Sequence, residues 1–434
     1  MAAGLGTRMR SAVPKHQHPL LGRRVVDWVL LAAGQAGVER TVLVVSPDSP
    51  DRDDSWAGVD VAVQERPLGT GDAVRAARGA LAGFDGDVLV LSGDVPALTP
   101  ELLAGLVGTH RRQAAAATVL SFEPADPRAY GRVVRGGDGR LARIVEARDA
   151  SEEELAIREV NAGIYVFAAA KLWPALERLE PQNAQGELYL TDTIAFLVGD
   201  GDTVAVHVAD DPSEVEGINT RAELAAAAAR LRDRINERHM LSGVTLVDPA
   251  TAWIEAGVEL EPDVVVHPFV YLRGTTRVAA GAEIHAHTVA VDATIGAGAA
   301  VGPFCYLRPG TVLETDSKAG SFVEIKNSLV GPKTKVPHLS YIGDAEIGGE
   351  TNVGAGTITA NFPHRPGAPK ERTRIGRNVR TGVQNAFVAP VEVGDGAWTA
   401  AGSVITKDVP PDALAIARSR QENKEGYAAR HRDD

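Results

Sequence analysis

The chain has 434 residues, with 45 Lys and Arg against 57 Asp and Glu, and a formal net charge of −12. That acidic balance argues against non-specific binding to nucleic acid or anionic membrane. The single cysteine, Cys305, excludes an internal disulfide and a Cys-rich metal site.

No run of about 18 apolar residues is present to cross a bilayer, and the N-terminus lacks the order of a signal peptide. A cytoplasmic protein of two or three domains is therefore expected. The predicted elements change character near residue 240. Ahead of it, apolar runs such as Thr41-Val-Leu-Val-Val45 and Asp87-Val-Leu-Val-Leu-Ser92 alternate with Ala-rich helical stretches, which reads as a mainly parallel α/β sheet buried on both faces. The first segment, Ala2-Ala3-Gly4-Leu5-Gly6-Thr7-Arg8-Met9 with Pro14-Lys15 behind it, is a Gly-rich turn. Its backbone N–H groups can approach phosphates closely, while Arg8 and Lys15 neutralise their charge. Ser92-Gly93-Asp94 sets an acid at the C-terminal end of a strand, where open α/β sheets take ligands. From Asn219 to about Leu241, the residues Leu224, Ala228, Leu231 and Ile235 recur at helical spacing and predict one amphipathic connecting helix.

After Gly243 a six-residue beat takes over: Val289, Ile295, Val301, Leu307, Leu313; then Ile347, Val353, Thr359; then Ile375, Thr381, Phe387, Val393, Thr399, Ile405. Repeats of this length predict a parallel β-helix in which one residue in six points inward. The beat breaks between Thr359 and Ile375, which predicts an inserted loop. His285-Ala-His287 would set two imidazoles on one face of a strand, as a metal site wants. No third ligand recurs at a matching spacing, so both read as surface or interface residues. The polar tail from Asn423 has no periodicity and is expected to be loose unless docked.

The set AAGLGTRM plus Pro14-Lys15 resembles the signature of sugar-nucleotide pyrophosphorylases, and further pieces follow in that family's order: Gln64-Glu-Arg-Pro-Leu-Gly69-Thr70-Gly71, Ser92-Gly93-Asp94, Tyr130-Gly131-Arg132, Glu146, Asn161 and Glu216-Gly217-Ile218-Asn219. Together with the six-residue beat, the resemblance narrows to the bacterial N-acetylglucosamine-1-phosphate uridyltransferases fused to a glucosamine-1-phosphate acetyltransferase, over nearly the whole chain. It implies a Rossmann-like nucleotidyltransferase domain at 1–219, a connecting helix at 220–242, a left-handed parallel β-helix at 243–418 and a tail at 419–434. It also implies a homotrimer with an acetyl-transfer site shared between subunits, serving cell-wall precursor supply.

The same resemblance distributes roles over residues. Ala2, Ala3, Gly4, Lys15, Gln64, Gly69, Thr70, Gly131, Glu146, Asn161 and Asn219 would bind UTP or the product, with Gln64 and Thr70 on uracil. Asp94 and Asn219 would hold Mg²⁺, whose taste for oxygen donors and few protein ligands they suit. Arg308, Lys326, Tyr341 and Asn352 would hold the sugar phosphate; Arg308 can grip a dianion with its fork and Lys326 as a point charge. Asn361, Phe362, Lys370, Val383, Ala401 and Arg418 would contact acetyl-CoA. An amine attacking a thioester must lose a proton, so His338 is the expected base, with Glu324 orienting its ring.

Three departures stand out. The family has about ten more residues ahead of the Gly-rich turn, including the first strand of the central sheet, so that strand is expected to be missing. Phe362 stands where the family usually has Tyr. Val383 replaces a Ser that helps stabilise the tetrahedral intermediate, with Gln384 or Asn385 as possible substitutes. Val383 and Phe362 motivate one alternative, a nucleotidyltransferase whose β-helix is a non-catalytic trimerisation module; a related pyrophosphorylase using glucose 1-phosphate or dTTP fits less well, because the sugar-site residues match the acetamido enzyme.

Overall fold

The computed structural model describes residues 1–4, 6–49, 58–127, 130–363 and 367–432. They form two units, Met1–Leu231 and Arg232–Asp434. In the first, β1 (Thr41–Val45) and β2 (Val59–Val63) pair in parallel. The main sheet takes β3 (Asp87–Val90), β4 (Ala117–Phe122), β5 (Arg132–Arg135), β6 (Leu141–Val145), β7 (Val160–Ala168) and β8 (Val204–Val208). Its order is β8-β4-β7-β5-β6, with β3 also on β7. Sequence patterning pointed to a mainly parallel sheet, and here it misled. The nine-residue β7 runs antiparallel to β3, β4 and β5, and only β8 and β4 are parallel. Burial on both faces produces the same continuous apolar runs in either orientation. Val119, Tyr165 and Phe167 pack on one face while Leu120, Phe122, Ile164 and Val166 pack on the other.

Among the described residues, no strand pairing joins β1 to β3. Between them lies an apolar cavity of about 470 Å³, lined by Val42, Val44, Val88, Val90, Val29 and Val166 among others. Met1 lines it, held in place by backbone bonds. The Met1 amine donates to Leu91 O (2.8 Å), Gly93 N–H to Met1 O (2.8 Å), and Ala2 N–H to Val44 O (2.7 Å).

The helix Arg221–Leu241 begins in the first unit and ends in the second. It buries Ala227, Leu231 and Ile235, so the apolar stripe includes Ala227 where the sequence pattern favoured Ala228. Buried Asn236 donates to Pro249 O and Ala252 O, tying the helix end to the first coil of the second unit.

The second unit passes its chain through three parallel sheets in turn and returns one strand further along, the path of a parallel β-helix. Val266, Ile284, Val301, Ala319 and Val336 point inward from the first sheet; Leu272, Ala290, Leu307, Ile325 and Ile342 from the second; Val278, Ile295, Leu313, Val330 and Ile347 from the third. The six-residue beat marks this core with one slip. Ala290 faces inward where the beat pointed to Val289, because the step from Ala290 to Ile295 is five residues. One corner carries residues in the left-handed region: Phe269 (φ 61°), His287 (φ 60°), Phe304 (φ 55°) and Phe322 (φ 58°). Their rings stack in series at 4.9, 4.7 and 5.2 Å.

Candidate active sites

In the first unit the Gly-rich segment leads into a short turn of helix, Thr7–Met9, and Gly6 adopts φ 56° against Lys15, where a Cβ would sit 2.8 Å from the Lys15 Cβ. That approach aims Lys15 at the strand-end acid. Its ammonium is bonded to Asp94 Oδ2 and stands 3.2 Å from Asn219 Oδ1, which also accepts from Arg8 Nη2 at 2.8 Å. Ile218 N–H bonds Asp94 O (2.9 Å), so the Glu216–Asn219 segment and the strand end are fixed to each other. Burial would push the Asp94 carboxyl up, but the Lys15 charge and the bonds from Lys15 and Ser92 hold it below the usual carboxylate range. The two oxygens expected to hold Mg²⁺ thus converge on one point, which suits a hard cation with few protein ligands.

Gln64 is buried and donates through Nε2 to Gly69 O and Asp72 Oδ2, both 3.0 Å. Its Oε1 is the acceptor left to face a base. Thr70 Oγ1 accepts from Leu190 N–H, leaving its own proton to donate. Gly69 has φ 117°, and a Cβ there would stand 2.6 Å from Leu188 O, so only glycine fits this loop. Gly131 passes close to Glu146: a Cβ would sit 3.4 Å from Glu146 Oε2. Burial, against a bond from Thr191, raises the Glu146 carboxyl, and Asp192, Asp149 and Glu187 add to the rise. Asn161 is buried and bonded to Tyr165 Oη at 2.6 Å, a partner that sequence reasoning missed.

In the second unit, Arg308, Glu324, Lys326 and Tyr341 share the outer surface of the second sheet. Parallel pairing aligns Tyr306, Glu324 and Tyr341 in one column and sets Lys326 beside Gly343. Arg308 Nη1 donates to Glu324 Oε1 at 2.8 Å. Glu324 therefore positions Arg308, and the expected contact with the His338 ring is not what it makes. The Lys326 ammonium is lowered from the usual lysine range, first by the neighbouring Lys370, then by desolvation and by Arg308. Buried Asp344 backs them, accepting from Asn327 Nδ2 and Asn361 Nδ2. Nothing in the sequence pattern singled Asp344 out. Asn361 thus braces the site from inside, and Phe362 next to it is exposed.

His338 ends a strand of the first sheet, at the corner that leads to Tyr341. Asn352 pairs with Lys335 and Arg380 on that first sheet, so one chain does not bring it to Arg308, Lys326 and Tyr341. Above His338 the corner repeats. Gly356 N–H donates to His338 O (3.3 Å), Gln384 N–H to Ala355 O (2.7 Å) and Gly402 N–H to Val383 O (2.9 Å). A Cβ on Gly402 would lie 3.8 Å from Arg418 Cδ, which brings Arg418 to the top of the same corner beside Ala401. His338, Val383, Ala401 and Arg418 therefore form one vertical line. Asn385 is buried and bonded to Ala400 O and Thr399, so it is ruled out as a substitute for the missing hydroxyl. The exposed Gln384 amide lies beside Gly356 and keeps that role open.

A Gly-rich turn with two cations on an α/β sheet, followed by a coiled run of parallel strands with its own cationic cluster, fits a nucleotidyltransferase domain fused to a second, coiled domain. Residues 1–194 match the MobA-like NTP transferase domain. Over 100% of its length the chain is 49% identical to the bifunctional protein GlmU of Streptomyces coelicolor, covering 94% of that protein. It is 47% identical to GlmU of Mycolicibacterium gilvum and 45% identical to that of Mycobacterium tuberculosis H37Ra, covering 91% and 92% of them. The chain belongs to the bifunctional GlmU family.

Proposed function

We propose an assignment of two reactions to the residues above. The chain is a bifunctional transferase that makes UDP-N-acetylglucosamine: acetyl transfer from acetyl-CoA to glucosamine 1-phosphate, then uridylyl transfer from UTP to N-acetylglucosamine 1-phosphate. The alternative of a catalytically silent β-helix is not favoured, because Arg308, Lys326, Lys370 and Tyr341 gather cations and a phenol where a structural spacer has no use for them.

At the first site the sugar phosphate oxygen attacks the α-phosphorus of UTP in line, and pyrophosphate leaves. Lys15 and Arg8 carry the developing charge, so positioning and electrostatics do most of the work. Both cations are tied to Asp94 and Asn219 in this structure and turn to the phosphates when nucleotide binds. Asp94 and Asn219 would hold Mg²⁺, which neutralises phosphate oxygens when bound. Gln64 and Thr70 read the uracil edge, Ala2, Ala3 and Gly4 bring backbone to the phosphates, and Gly131, Glu146 and Asn161 line the sugar pocket.

At the second site His338 takes the proton of the attacking amine. Arg308, Lys326 and Tyr341 grip the sugar phosphate, and the donor runs up the corner from Val383 past Ala401 to Arg418, with Phe362 and Lys370 beside it. We read the β-helix as left-handed and the assembly as a cytoplasmic trimer. The observation that supports the trimer is Asn352, which one chain keeps on a different face from Arg308 and which a second copy can supply.

The observation that carries the two-site reading is the corner line from His338 to Arg418. His338→Ala is expected to lose acetyl transfer while pyrophosphate release from UTP and N-acetylglucosamine 1-phosphate stays unchanged. Equal loss of both activities would sink the division of labour.

A further inference from the structure

We propose that His267, Glu283 and His285 form a divalent transition-metal site on the β-helix, distinct from both reaction sites. The sequence pattern paired His285 with His287 and found no third ligand; the structure re-sorts them. His287 sits at the corner with its ring between Phe269 and Phe304. His285 instead faces the neighbouring coil. Pairing of Val265 with Glu283 and Val266 with Ile284 puts His267 directly beside His285, both on the outer surface because Val266 and Ile284 point inward. Glu283, two residues before His285, shares its strand face, while His267 was invisible to strand spacing because it comes from a different coil.

His267 Nε2 stands 2.8 Å from Glu283 Oε1, and His285 Nδ1 stands 3.7 Å from the same oxygen. One donor atom from each residue lies within 4.8 Å of the others. Tetrahedral ligands at about 2.0–2.1 Å from Zn²⁺ are roughly 3.3 Å apart, so side-chain rotation alone closes the set around an ion. Two imidazoles and a carboxylate suit Zn²⁺, Ni²⁺ or Cu²⁺, and do not suit Mg²⁺ or Ca²⁺, which want oxygen. Pairing of Ile284 with Val301 puts Gly302 next in the column beyond His285. With no side chain there and the three ligands 31–46% exposed, at least one coordination position stays open to water. The backbone under the ligands is hydrogen-bonded coil to coil, as in His267 N–H to Ile284 O (2.9 Å) and His285 N–H to Val301 O (2.8 Å). The site is preorganised by the same stacking that builds the solenoid.

Calorimetric titration of the full, tag-free chain with Zn²⁺ tests this. The expected result is an equivalent per chain that His267→Ala and His285→Ala both lose, that Mg²⁺ does not displace, and that His287→Ala retains. Glu283→Gln should weaken it by more than the roughly 10–100-fold that losing an outer-sphere partner costs. Co²⁺ in place of Zn²⁺ should give visible absorption bands in the parent chain and none in the His267→Ala and His285→Ala variants. Unchanged melting of the metal-free variants separates loss of a ligand from loss of fold; if His267→Ala melts early, His267→Gln takes its place. Retention of that equivalent by both histidine variants overturns the site, as does no Zn²⁺ binding by the parent chain. One ion shared between chains overturns its intramolecular geometry.

Discussion

Asp94 shows how one residue can serve folding and chemistry together. Its bond to Lys15 keeps the carboxyl charged although it is well covered. Because the folded carboxyl lies below its unfolded value, the stability it adds is fully present above about pH 4 and is lost as pH falls through the folded value. Asp94→Asn is therefore expected to cost about 2 kcal/mol at pH 7. The gap to the parent chain should stay flat from neutral pH down to the carboxylate range and then close. Thermal melts of both proteins across pH check this. Uridylyl transfer should fall in the same variant with acetyl transfer intact. At the other site, Val383→Ser restores a hydroxyl on the corner above His338. It is expected to raise the acetyl-transfer kcat, whereas Gln384→Ala should lower it by up to the 100- to 1000-fold typical of a lost oxyanion donor. Steady-state rates with acetyl-CoA and glucosamine 1-phosphate decide both. Charged and aromatic residues in family motifs were legible at this scale. Asp344, Tyr165 and His267 were not, because each acts through a neighbour that only folding supplies.

At the scale of elements, the six-residue beat was readable because one inward side chain per strand is a steric demand repeated in every coil. Its single slip, Val289 for Ala290, came from a five-residue step that periodicity averages away. Strand direction was not readable, since burial on both faces writes the same sequence for parallel and antiparallel strands. The gap between β1 and β3 is an element-scale feature with a measurable consequence. The facing edges border an apolar slot that Met1 lines, while Ala2 N–H already bonds Val44 O on one edge. An alternating apolar strand of about five residues fused ahead of Met1 should dock there and raise Tm, since each buried side chain contributes about 2 kcal/mol. The same peptide with Lys or Glu at the inward positions should leave Tm unchanged.

For the whole molecule, the stacked corner of Phe269, His287, Phe304 and Phe322 is the apolar surface most in need of a partner. Phe269, Phe304 and Phe322 are each about half exposed, and Leu339 continues the line. Packing against further copies of the chain would cover it. Phe304→Asp is expected to shift the mass seen by light scattering from that of the proposed trimer to that of a monomer. Acetyl transfer should fall with it, because the proposed supply of Asn352 by a second copy would be lost, while uridylyl transfer, whose proposed residues lie in one chain, should persist. That corner also has a metric consequence. From Tyr341 through Ile358, Ala386 and Val404 to Arg418 the chain climbs four coils, each adding a fixed rise of about 4.8 Å, or roughly 19 Å in all. The distance between His338, the proposed base, and Arg418 is thus counted in whole coils, like notches on a ruler. Moving the distal cation closer or further would therefore take a whole coil, a step of about 4.8 Å, and not a gradual shift.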